Sequence, residues 1–96
     1  MIRHVCMFTL KKENKAENIA AFLERAQSLR ALEMIKRFEV VSNIAGTPDN
    51  NFDVAVVFDF ENLEDLNAYQ VSDIHVAFGG FVSTIRETRA CIDYEI

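Results

Sequence analysis

The sequence predicts an α+β fold with its elements in the order β-α-β-β-α-β. The hydrophobic period switches repeatedly between two and 3.6, and the switches fall at charged or turn-forming stretches. One segment alternates cleanly: Phe52, Val54, Val56, Phe58 and Phe60 interleave with Asp53, Ala55, Val57 and Asp59, the mark of a strand with two unlike faces.

The elements follow in order. From Ile2 to Leu10 the even positions read Ile, His, Cys, Phe and Leu, giving a strand with one strongly apolar face. After a charged turn over Lys11 to Lys15, Ile19, Phe22, Leu23, Ala26 and Leu29 form one stripe of an amphipathic helix from Ala16 to about Arg30. A looser stretch, Leu32 to Lys36, leads into a second strand from about Arg37 to Ile44. The run Gly46-Thr47-Pro48-Asp49-Asn50-Asn51 is the strongest turn signal and joins this strand to the third, Phe52 to Phe60. Asn62 is an N-cap for a short helix through Leu63, Leu66 and Tyr69. Ser72 or Asp73 caps a further helix carrying Ile74, Phe78, Phe81, Val82 and Ile85. Gly79 and Gly80 each cost that helix about 1 kcal/mol relative to alanine, so packing or a close approach is expected there. The last strand runs from about Glu87 to Glu95.

This order is the ferredoxin-like split arrangement, a four-stranded antiparallel sheet with helices on one face. The even faces, rich in phenylalanine, are expected to point toward the helices. On that assignment Cys6 faces the helices and Cys91 the opposite side, so the two are expected to stay unbonded as packing residues. The other face carries Val5, Met7, Val41, Ala55, Val57 and Cys91 near the strand centres. Each Val or Met is worth roughly 1.5–3 kcal/mol when buried. A second copy of the same surface is the simplest cover, so a homodimer through the helix-free face is expected.

Composition narrows the function. The 96 residues suit a single domain spanning 1–96, and 10 Lys+Arg against 15 Asp+Glu give a formal charge of −5, which disfavours a nucleic-acid partner. The longest uncharged run, Val76 to Ile85, is too short to cross a bilayer, and no secretory pattern precedes the first strand. The expectation is a cytoplasmic protein without membrane association. No phosphate-cradling loop, dinucleotide fingerprint or metal-ligand spacing occurs, so neither cofactor nor metal is expected.

Chemistry-bearing residues are few. His4 lies on the apolar face of the first strand, His75 borders the stripe of the last helix, and Tyr69 ends the helix before it. Histidine titrates near neutrality and a phenol can orient a carbonyl, so the three are candidate catalytic residues for proton transfer. Phe8, Phe22, Phe58, Phe78 and Phe81 are candidate walls of an apolar small-molecule pocket. Each also has a plain structural reading, as a satisfied core histidine or as ordinary packing.

Taken in order, four stretches resemble the stress-responsive A/B barrel (Dabb) family. They are Met1-Ile2-Arg3-His4-Val5, then Asn51 through Phe60, then Ala68-Tyr69-Gln70 with His75-Val76-Ala77-Phe78, and finally Cys91-Ile92-Asp93-Tyr94-Glu95. The resemblance implies a dimeric α/β barrel and, in some members, a hydrophobic cavity between sheet and helices. In one plant member, a polyketide cyclase, histidines matching His4 and His75 handle protons and a tyrosine matches Tyr69. Other members are described as stress-induced or defence proteins. The family's usual proline before the helix histidine is replaced in Val71-Ser72-Asp73-Ile74-His75, so that helix is expected to start differently. Three classes stay open: a binder of a small hydrophobic molecule with cyclase- or lyase-like histidine chemistry, a non-enzymatic stress-response or structural dimer, and a cofactor-independent monooxygenase.

Overall fold

A computed structural model describes all residues from Met1 to Ile96. The order is β1 (Ile2–Leu10), α1 (Lys15–Arg25), a 3₁₀ turn (Ala26–Ala31), β2 (Arg37–Ser42), β3 (Val54–Phe60), α2 (Leu63–Val71), α3 (Asp73–Ile85) and β4 (Arg86–Glu95). The strands form one antiparallel sheet in the order β2-β3-β1-β4. It is the expected α+β, ferredoxin-like arrangement, with the first helix ending at Arg25 and tightening into 3₁₀ geometry.

The even positions of β1 and β3 face the helices, and there the core forms. Phe22, Phe58, Phe60, Leu10 and Leu29 are fully buried. Phe22 of α1 packs against Phe8 of β1 and Phe78 of α3, at ring-centroid distances of 5.7 and 5.2 Å. Tyr69 of α2 meets Phe58 and Phe60 of β3 at 5.7 and 5.1 Å. Sheet and all three helices therefore share one apolar layer.

β4 departs from the expectation. In its register with β1, His4 lies opposite Asp93, Cys6 opposite Cys91 and Phe8 opposite Arg89. Directly opposed residues project to the same side of a sheet. The odd positions of β4 thus face the helices, and Ala90, Ile92 and Tyr94 face away. Cys6 and Cys91 are joined in a disulfide, which corrects the expectation of two unbonded thiols on opposite faces. The open face accordingly holds Val5, Met7, Val41, Ala55, Val57, Ala90 and Ile92, with Cys91 removed from it. Val41 and Ile92 keep 44% and 61% of their surface exposed. At its edge Arg3 donates to both carboxylate oxygens of Asp59 across the β1–β3 pair, at 2.8 and 3.0 Å. That fork holds the Asp59 carboxyl below the usual range and the guanidinium above its own.

Candidate functional site

The site is built at the junction of α2 and α3, above β1 and β4. Ser72 has an extended backbone, φ −64° and ψ 146°, and breaks one helix from the next. Its hydroxyl donates to the Tyr69 carbonyl at 2.7 Å and accepts from the His75 amide at 3.2 Å. Asp73 takes the first helical position, a place that proline also suits, and its negative charge favours the helix N-terminus. The non-proline sequence therefore still delivers His75 one turn beyond Tyr69, with the two ring centroids 4.5 Å apart.

His4 approaches from the sheet, its ring 6.0 Å from that of Tyr69. It is buried, yet its Nδ1 lies 2.5 Å from Asp93 Oδ1 across the β1–β4 pair. A carboxylate only accepts, so Nδ1–H donates and Nε2 is left with the free lone pair. His75 is set the same way: its Nδ1 donates to the Gln70 carbonyl at 2.9 Å, again freeing Nε2. Neither Nε2 nor the Tyr69 hydroxyl has a protein partner, and no sealed side-chain polar atom in the chain lacks one. These three atoms therefore open onto space rather than onto packed protein.

That space is a cavity of about 180 Å³ between β1, β4, α2 and α3. Its walls include His4, Tyr69, His75, Phe8, Phe78 and Gly79. Phe22, Phe58 and Phe81, expected as further walls, lie elsewhere. The first two are sealed in the core, and Phe81 turns outward under Arg25, whose guanidinium carbon sits 4.2 Å from the ring centroid. Gly79 needs no close approach, since a Cβ built there meets nothing within 4 Å. Its lack of a side chain widens the cavity instead.

Electrostatically the two ends of the dyad differ. Burial lowers the His75 pKa from its ordinary 6.5, with His4 and Arg89 adding to the effect and the Gln70 carbonyl opposing it. Burial pushes the Tyr69 hydroxyl well above its ordinary value, so it stays protonated as a hydrogen-bond donor. Ligand-type atoms of His4, Cys6 and Cys91 lie within 4.8 Å of one another, but with the sulfurs joined neither is a thiolate. The arrangement offers two imidazole nitrogens and one phenol to a single small molecule. Sequence reasoning did not find Asp93, Gln70, Gly79, Arg86 or Arg89 as cavity or bracing residues. The register was the missing signal: pairing Cys6 with Cys91 puts Asp93 and Arg89 on the helix side.

Comparison with known proteins bears on the fold and its lineage. The stress responsive A/B barrel domain model matches residues 2–96. The chain belongs to this family. No curated protein matches it in sequence. Among solved structures, it is similar to a dimeric protein of unknown function with a ferredoxin-like fold from Bacteroides fragilis. Identity is 28% and the TM-score 0.82, over 99% of this chain and 95% of that one. A Dabb family protein from Mesorhizobium loti is 26% identical with a TM-score of 0.82, over 99% and 95% of the two chains. The hydroxynitrile lyase of Passiflora edulis shares the fold, at 15% identity and a TM-score of 0.83, over 99% and 92%. Within a stress responsive A/B barrel domain, then, this chain keeps His4, Tyr69 and His75 around one cavity.

Proposed function

We propose that this A/B barrel protein binds a small hydrophobic carbonyl compound between sheet and helices and moves protons on it with His4 and His75. The observation that carries the reading is the convergence of two Nδ1-anchored imidazoles and one buried phenol on an open cavity. The volume suits one substituted ring, since an engineered cavity of about 150 Å³ admits benzene. In the reaction, one Nε2 removes a proton from the carbon beside the carbonyl. The Tyr69 hydroxyl donates a hydrogen bond to the developing enolate oxygen, and a proton returns from the imidazolium to carbon or oxygen. His75, the ring whose basicity is lowered by burial, stays neutral at pH 7 and so is the base. The fold shared with a hydroxynitrile lyase agrees with carbonyl chemistry without assigning it.

The same reading takes the chain as a homodimer through its helix-free sheet face, as the Bacteroides fragilis neighbour is described as dimeric. No helix is long and apolar enough to cross a membrane. We take the location as cytoplasmic.

Hydrogen–deuterium exchange at the methyl carbon of acetophenone in D₂O, followed by NMR, tests the chemistry without needing the natural substrate. The protein is expected to accelerate exchange over buffer, and His75→Gln to lose roughly 10²-fold or more of that acceleration. Exchange no faster than in free imidazole, or a His75→Gln protein as active as the parent, would remove the acid–base reading and leave the non-enzymatic dimer.

A further inference from the structure

The cavity has a second end with its own chemistry. Arg86 opens β4 and Arg89 lies opposite Phe8, and both line the cavity with the imidazoles. In a chain of formal charge −5, none of the 13 residues lining this space carries a carboxylate. The ion pairs of the chain engage Arg3, His4, Lys15 and Arg37, and neither Arg86 nor Arg89 donates a side-chain hydrogen bond to any protein group. Glu87, between the two arginines in sequence, is exposed and makes no ion pair with either, and Asp93 further along the strand is already bonded to His4. Asp93 stands four positions from Arg89, roughly 13 Å along a strand. Arg86 is half-buried and Arg89 exposed at the cavity mouth; two guanidiniums lining one cavity without counter-ions amount to an anion site.

We infer that the ligand of this cavity is an anion: a small carbonyl compound whose carboxylate is held by Arg86 and Arg89 while its carbonyl end lies against His4, Tyr69 and His75. The inference rests on the proposed function and names the substrate class for it. Arginine forks match a carboxylate in two parallel hydrogen bonds. Holding the anion at the far end also orients the ring, so that one particular carbon faces the Nε2 atoms.

Calorimetric titration of the full chain with 3-acetylbenzoate and with its uncharged counterpart 3-acetylbenzamide tests the assignment. The carboxylate probe is expected to bind roughly ten-fold or more tightly, the range of charge-assisted hydrogen bonds. Arg86→Gln and Arg89→Gln each shrink that preference and the double variant abolishes it. Arg89→Lys, which keeps the charge but not the fork, recovers part of it. Equal affinity for the two probes, or a preference that survives the double variant, overturns the anion site while leaving the cavity as the binding site. Failure of both probes to bind overturns the cavity reading as well.

Discussion

His4 owes its chemistry to the residue across the strand pair. Buried among apolar groups it would read as core, but Asp93 accepts a hydrogen bond from its Nδ1–H and leaves Nε2 for the cavity. His75 reaches the same tautomer by a different route, through a carbonyl left unpaired where α2 ends. Its pKa is lower folded than unfolded, so between the two values the unfolded chain binds the extra proton. The stability tied to its neutral form is therefore complete above about 6.5 and is lost as pH falls below that toward the folded value. Asp59 follows the carboxylate sign: its contribution with Arg3 holds above the ordinary carboxylate range and is lost as pH drops beneath it. Both histidines were visible in the sequence as the only two imidazoles. Their tautomers were not, because those depend on partners 89 residues away in one case and on a helix end in the other.

At the scale of elements, α3 trades stability for room. A glycine at position 79 costs the helix about 1 kcal/mol relative to alanine, and nothing in the packing requires it. Gly79→Ala is accordingly expected to raise stability by about 0.5–1 kcal/mol in chemical denaturation while weakening acetophenone binding, because the new methyl enters the cavity. Unchanged binding would mean that the ligand lies elsewhere. β4 is the element on which pattern reading failed, and the reason is physical. Alternation assigns the apolar side of a strand to the core, but here the helix side carries Arg89, which lines the cavity, and Cys91 and Asp93, which bond Cys6 and His4. Ile92 and Ala90 face the open side of the sheet. The Cys6–Cys91 bond ties this edge strand to β1 across 85 positions, a closure worth about 4–5 kcal/mol in the chain-entropy model.

For the molecule as a whole, the order of elements and the helix-facing core were legible because Phe52 to Phe60 and Ile2 to Leu10 place their bulkiest apolar residues at period two. The cavity was legible only in part, since Phe8 and Phe78 line it but Phe22 and Phe58 fill core beside it. A period marks which side chains turn inward, not which inward positions are left empty. The open face keeps an apolar strip, with Ile92 well exposed beside Val5 and Val57. Sedimentation equilibrium is expected to give twice the chain mass, and Ile92→Asp to shift the population to single chains without unfolding them, since a charge buried unpaired at such a seam is costly. Single chains of the parent protein at micromolar concentration would refute the dimer.

The central claim is that two imidazoles, each held at Nδ1, present Nε2 to one ligand cavity. Long-range proton–nitrogen correlation of the two histidine rings, with and without acetophenone across a pH series, measures it directly. The account predicts Nδ1–H in both rings, a His75 midpoint below 6.5 and Nε2 resonances in both rings that move on adding the ketone. A proton on Nε2 of either neutral ring, or two ring spectra indifferent to the ligand, would contradict it.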